Sequence, residues 1–210
     1  MSSSEQNVPN HLVLYDVPWD AYTRIIDALG EKRLPHVYQQ GTLEMMSPSE
    51  DHERIKRFLG RLIESASLEL GIKIRSVGSA TRQHEELEHG IEPDESYYIG
   101  RNAIPAKRSR AKRRPAVPDL VVEVEWSRAV LSKLESYRIL GVAEVWRYWR
   151  AKVEIFALAP NLQYQSCDRS RLFEQVAAKD LTRLLGRLKK TDENTLVREF
   201  IDQLRKSRDH

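Results

Sequence analysis

Residues 118–126 read Pro-Asp-Leu-Val-Val-Glu-Val-Glu-Trp, an apolar run of strand length with two glutamates set into it. In an extended chain alternate side chains share a face. Asp119, Val121, Glu123 and Glu125 therefore fall on one side, and Leu120, Val122, Val124 and Trp126 on the other. Such an apolar second face marks a strand inside a sheet. Carboxylates buried on it are costly unless they are paired or bind a cation. Helical and extended periodicity alternate around this strand, which predicts an α/β fold: a mixed β-sheet flanked by helices.

Upstream, residues 92–99 read Glu-Pro-Asp-Glu-Ser-Tyr-Tyr-Ile, a second strand headed by Asp94. No acid occurs from Ser96 to Pro118, yet seven cations do: Arg101, Lys107, Arg108, Arg110, Lys112, Arg113 and Arg114. The net charge is only +3, so the remainder of the chain is net acidic and the basicity is local. A polyanion would meet one patch and not the whole surface. The segment 107–114 holds no aromatic residue, so it is expected to track a nucleic-acid backbone without stacking on bases. A solvated basic loop is the alternative.

Further out, residues 16–30 have helical spacing ended by Gly30, and residues 36–46 suggest a hairpin around Gly41. Ser47 is the expected cap of a long helix, with Pro48 in its first position and Glu50 completing a capping box. Its stripe runs from Ile55 through Phe58, Leu59, Leu62, Ile63 and Ala66 to Leu70, and Gly71 closes it. A strand is expected over 72–77, and a polar loop or short helix over 81–90. After the 117–126 strand, Ser127 is the expected cap of a helix over roughly 128–140, followed by a hairpin of 143–149 with 152–158 and a further strand at 162–166. From Leu172 onward the apolar residues again recur at helical spacing.

The 210 residues are enough for one well-buried domain. A lone cysteine, Cys167, excludes an internal disulfide, and no Cys/His cluster suggests zinc. No apolar run nears the ~20 residues of a membrane-spanning helix. The opening MSSSEQNVPN lacks the basic and apolar order of a signal peptide and reads as a frayed tail. The expectation is a cytoplasmic protein without membrane contact.

If the strands at 95–99 and 117–126 are neighbours, Asp94 and Glu123 can reach one ion. Mg²⁺ (or Mn²⁺) takes a few carboxylate oxygens together with water and phosphate oxygens. The competing account makes these acids ion-pair partners of nearby arginines, and for Glu125 it is at least as good. Lys133, in the following helix, can swing back over the strand end, although a solvated lysine is the commoner fate. Tyr137 lies one turn further on the same side.

The strings GTLEMMSPSEDHERIKRFLGRLIE (41–64), EPDESYYI (92–99), PDLVVEVEWS (118–127) and KLESYRILGVAEVWRY (133–148) occur in that order. Together they resemble the Uma-two family of restriction-endonuclease-like proteins within the PD-(D/E)xK nuclease superfamily, over roughly residues 15–165. The resemblance implies a metal-dependent phosphodiesterase core. Asp94 is similar to the motif aspartate, Glu123 to the second acid, and Glu44 to an additional acid near the first helix. Asp119 stands in a second Pro-Asp, and either could be the motif; Asp94 is favoured because Glu123 then comes from the adjacent strand. The motif lysine is expected at position 125, where this chain has Glu125, and Lys133 is its migrated replacement. His52 matches a family histidine that would touch a phosphate or cap the helix.

The implied organisation is a disordered tail over 1–10, a nuclease-like domain over 11–170, and a helical C-terminal extension over 171–210 packed on the same domain. The implied function is a Mg²⁺-dependent endonuclease acting on nucleic acid, with DNA the expected substrate. Asp94, Glu123, Lys133 and Glu44 are its candidate catalytic residues, and Asp94 and Glu123 the metal ligands. Lys107, Arg108, Arg110, Lys112, Arg113, Arg114 and His52 are the candidate nucleic-acid contacts. The alternative is a nuclease-fold binding or accessory protein that has lost cleavage. A homodimer built on the aromatic cluster Trp146, Tyr148 and Trp149 is a third reading.

Overall fold

The computed structural model of the protein describes residues 11–30, 34–104, 117–126 and 129–208. The 1–10 tail, the basic segment 107–114 and Ser127 lie outside the described residues. Two sheets are present where one was expected. The larger contains β4 (Ile74–Ser76), β7 (Glu95–Ile99), β8 (Leu120–Glu125), β9 (Glu144–Trp149), β10 (Lys152–Leu158) and β11 (Tyr164–Cys167), in the order β11-β10-β9-β8-β7-β4. The smaller contains β1 (His11–Leu14), β2 (His36–Gln39), β3 (Thr42–Met46), β5 (Arg82–His84) and β6 (His89–Ile91), in the order β1-β3-β2-β6-β5. The segment 81–90, expected as loop or short helix, thus supplies one strand and the start of another around a 3-10 turn, Glu85–Leu87.

The strand over 118–126 is central, as its apolar second face requires. β8 pairs antiparallel with β7 and parallel with β9. A parallel pair needs a crossover, and the short helix α3 (Lys133–Leu140) lies in it. Leu120, Val122 and Val124 enter the main core together with Trp146, Tyr148 and Ile155. Against this face lie α2 (Glu50–Leu70), α4 (Ala178–Leu185) and α5 (Glu193–Arg208), which contribute Phe58, Leu62, Leu181, Leu184 and Phe200. Val121 and Val145, of opposite parity, join Val37, Ile91, Tyr137 and Val142 in a second cluster between the sheets and α3. The first helix, α1 (Trp19–Leu29), covers the smaller sheet with Tyr22 and Ile26. Gly90 is required there: a Cβ at that position would lie 2.0 Å from the Tyr22 hydroxyl oxygen.

Helix starts differ from expectation in two places, and both differences matter for the site. α2 begins at Glu50, and Ser49, not Ser47, caps it by accepting the His52 N–H at 3.2 Å. Glu50, Asp51 and Glu53 then occupy the first turn, where the helix dipole favours acids. α3 begins at Lys133, not near 128, with Ser132 accepting the Glu135 N–H at 3.3 Å. Gly141 closes it with φ +81°.

The aromatic cluster does not form one surface. Trp146 and Tyr148 are buried in the helix-covered core, whereas Trp149, of opposite parity, is half-buried on the other face. Among the described residues no helix is long and apolar enough to cross a membrane.

Candidate active site

The pairing Glu95↔Val122 and Ser96↔Val121 fixes how β7 meets β8. One further step along that register sets Asp94 across from Glu123. The Asp94 Oδ2 accepts the Val124 N–H at 2.7 Å, so the carboxylate is pinned to the backbone of β8. The first turn of α2 reaches the same point, with His52 Nε2 3.2 Å from Asp94 Oδ2. The other oxygen, Asp94 Oδ1, is buried and has no hydrogen-bond partner. A buried polar atom left unpaired costs about 1–3 kcal/mol, so this oxygen calls for a partner.

Glu123 is held from α3. Lys133, the first residue of that helix, places Nζ 2.5 Å from Glu123 Oε2. The Tyr137 hydroxyl donates a short hydrogen bond to Glu123 Oε1. Lys133 and Tyr137 are four residues apart and so share one helix face. Asp94, Glu123, Lys133, Tyr137 and His52 are all buried.

Burial shapes the charges. It pushes the Glu123 carboxyl up to about 7, against the opposing pull of the Lys133 charge. For Asp94, burial also pushes upward, but the His52 hydrogen bond and the Lys133 charge outweigh it and hold the group below its ordinary value. For His52, burial pulls downward, and Asp94 prevails and raises it. Burial likewise disfavours the Lys133 ammonium, but the charges of Glu123 and Asp94 keep it protonated. Burial raises Tyr137 far above its ordinary range, so its hydroxyl remains a donor.

Asp94 Oδ1, without a partner, and the remaining lone pairs of the Glu123 oxygens, which already accept from Lys133 and Tyr137, suit a divalent cation of the Mg²⁺ kind, which takes few protein ligands and completes its shell with water and phosphate. Among the described residues no three His, Cys, Asp or Glu side chains form a ready metal cage. A site of two carboxylates is the arrangement such a cation accepts.

The remaining candidates have other hydrogen-bond partners. Glu44 is buried in β3, and both its oxygens are taken: they accept the Val130 N–H at 3.0 Å and the Leu131 N–H at 2.7 Å, and His11 Nε2 lies at 2.6 Å. It therefore holds the segment that leads to Lys133 and makes no hydrogen bond to the other acids. Asp119 accepts the Ile99 N–H and the Asn102 amide, both at 2.7 Å, and so fastens the turn after β7. His52 faces Asp94, and of its two expected roles the capping one falls to Ser49. Glu125 is half-buried and lines a cleft with Lys133. Its spacing sets Tyr137 on the side of Lys133, but the sequence assigns it no role, since an aromatic in a helical stripe ordinarily means core.

Residues 19–186 match a family model, Uma2, described as "Putative restriction endonuclease". The chain is also similar to a crystal structure at 1.96 Å of "a putative nuclease belonging to DUF820" from Anabaena variabilis ATCC 29413, with a TM-score of 0.53 and 18% identity. That similarity covers 80% of this chain and 98% of the other, and at such identity it speaks for the fold alone. No curated protein matches the chain. The family match runs over most of the length, through both strands and the helix that carry the buried carboxylates and Lys133. The chain therefore belongs to Uma2, the family described as putative restriction endonucleases.

Proposed function

We propose that the protein is a metal-dependent endonuclease that hydrolyses phosphodiester bonds, with DNA as its substrate. The observation that carries this reading is Asp94 Oδ1, a buried carboxylate oxygen without a partner, beside a second buried carboxylate clamped by Lys133 and Tyr137. Asp94 and Glu123 would hold Mg²⁺ or Mn²⁺. When bound, such an ion polarises the phosphoryl group and favours ionisation of the attacking water.

The chain's own residues do the rest. The Val124 N–H and His52 fix the orientation of Asp94, and Tyr137 fixes that of Glu123. Lys133 keeps its ammonium at Glu123, where it offsets negative charge building on the phosphate; preoriented charge of this kind is worth roughly 10²–10³ in rate. The sequence 107–114 supplies cations for the backbone of the nucleic acid.

The test is nicking of supercoiled plasmid with Mg²⁺ or Mn²⁺. Wild type should cleave, and Asp94→Asn, Glu123→Gln and Lys133→Met should each lower the rate about 100-fold or more. Wild type that leaves plasmid, single-stranded DNA and RNA intact would refute cleavage. One observation favours a second reading, a nuclease-fold binding protein. The Lys133 ammonium is hydrogen-bonded to Glu123, and Glu125 occupies the position where the motif lysine would stand. Binding that survives the Asp94 and Glu123 substitutions, with no cleavage by wild type, would select it.

A further inference from the structure

The sheet face that carries Glu123 continues onto β9. Glu123 is paired with Arg147, and Glu125 with Trp149. From ordinary strand dimensions, the Cα atoms of Glu123 and Trp149 lie roughly 8 Å apart. A cleft of about 650 Å³ opens here, lined by Glu125, Lys133, Leu134, Arg147, Trp149 and Arg150 among others. That is ample room for a nucleotide-sized ligand. Because Lys133 lines it, the cleft shares a wall with the candidate active site.

The two arginines differ in their commitments. Arg147 is tied to Glu154 at 2.7 and 3.0 Å and lies over the Phe156 ring. Arg150 is exposed, and among the described residues it has no carboxylate partner. Its guanidinium lies 5.3 Å from the centroid of the half-buried Trp149 ring. The turn that puts it there has Arg150 at φ +48° and Ala151 at φ +60°. Both are left-handed, a conformation normally given to glycine or asparagine in such a two-residue hairpin turn.

An indole and a guanidinium are groups on which nucleobases stack. Glu125 on the wall repels phosphate and can accept a hydrogen bond from an amino group, so the cleft suits a base better than a sugar-phosphate backbone. We propose that this cleft is a nucleobase subsite, in which one unpaired base stacks on the Trp149–Arg150 pair next to the phosphate presented to Asp94, Glu123 and Lys133. The inference rests on the nuclease reading and narrows its substrate to strands with an unpaired nucleotide beside the point of cleavage. A base in closed duplex would first have to leave its stack.

The test is fluorescence anisotropy with the full chain in EDTA, where cleavage does not intervene. The probes are a 15-nucleotide single strand, as DNA and as RNA, and a blunt DNA duplex of the same length. Wild type should prefer a single strand, in whichever sugar it binds. Trp149→Ala should weaken that binding about tenfold and leave duplex binding within about twofold, while Trp149→Phe retains most of it. Arg150→Ala, a surface change that spares the fold, should weaken it about threefold. Equal affinity of wild type for single strand and duplex overturns the inference, as does single-strand binding untouched by both Trp149→Ala and Arg150→Ala. A wild type that binds single strands through Trp149 yet never cleaves upholds the subsite and removes the nuclease reading. Plasmid cleavage without single-strand preference does the reverse.

Discussion

Asp94 and Glu123 face one another across a strand pair, and burial pushes both carboxyls upward, yet their neighbours send them in opposite directions. Asp94 is held ionised by His52 and Lys133, whereas Glu123 is pushed up to about 7. The consequence for stability follows from linkage. The folded form of Glu123 keeps a proton that the unfolded chain, with an ordinary value of 4.5, has already released. Its contribution therefore falls as pH rises from about 4.5 to 7. His52 is raised above its ordinary 6.5, so its contribution is present below that pH and is lost as pH climbs through the folded value. Asp94 is lowered from 3.8 and penalises only more acidic conditions. The cation-free protein should thus melt at its highest temperature near pH 5 and decline steadily to pH 8, as read by thermal unfolding in EDTA. Millimolar Mn²⁺ should lessen that decline, since it takes the place of the proton. Glu123 was legible in the sequence because strand parity sets it on one face with Asp119 and Glu125, and the family resemblance picks it out among them. Asp94 was named from the Pro-Asp motif, but its contact with Val124 depends on a register between distant segments that no local pattern encodes. The Tyr137 hydroxyl bond was equally hidden, since a buried tyrosine and a core phenylalanine leave the same helical stripe.

The helices carry the site through their first turns. His52 stands in the first turn of α2 and Lys133 opens α3, so a shift of either helix start would swing a side chain away from Asp94 or Glu123. The sequence offers two serines around Pro48. The structure uses the second, which sets Glu50, Asp51 and Glu53 in the first turn and His52 toward Asp94. α3 likewise starts where Ser132 caps it, after an approach whose Val130 and Leu131 N–H groups are held by Glu44 from the other sheet. That contact is tertiary and was invisible locally. It also assigns Glu44 a positioning role that can be separated from cation binding. Glu44→Gln should slow cleavage about tenfold through displacement of Lys133, a loss of the size of one charge-assisted hydrogen bond. Mn²⁺ affinity, measured by calorimetry, should stay within about threefold. A large drop in that affinity would make Glu44 a ligand instead.

Across the whole molecule, the larger sheet is readable from the sequence, and of the smaller only the β2–β3 hairpin is. β8, β9 and β10 announce themselves by alternation, whereas β1, β5 and β6 are three or four residues long and include His11, Arg82, Gln83, His84 and His89. Such strands exist only because neighbours complete them. The C-terminal helix also belongs to the architecture as a whole. α5 lies beyond the family match, yet it buries Leu196, Phe200 and Leu204 in the main core. It is also tied to α2 through Arg205–Glu69 and Arg61–Glu193. Full burial of three such side chains is worth about 1.5–3 kcal/mol each, comparable to the 5–15 kcal/mol that separates folded from unfolded states. A chain truncated after Lys190 should therefore lose cooperative thermal unfolding, as followed by circular dichroism, in keeping with our proposal that residues 171–210 form one folding unit with what precedes them. The central claim, that Asp94 and Glu123 together bind a divalent cation, is tested most directly by anomalous diffraction from crystals soaked in Mn²⁺. The expected result is one manganese peak bonded to Asp94 Oδ1 and to the Glu123 carboxylate, lost in Asp94→Asn. Manganese bound elsewhere, with Asp94 Oδ1 still without a partner, would contradict it.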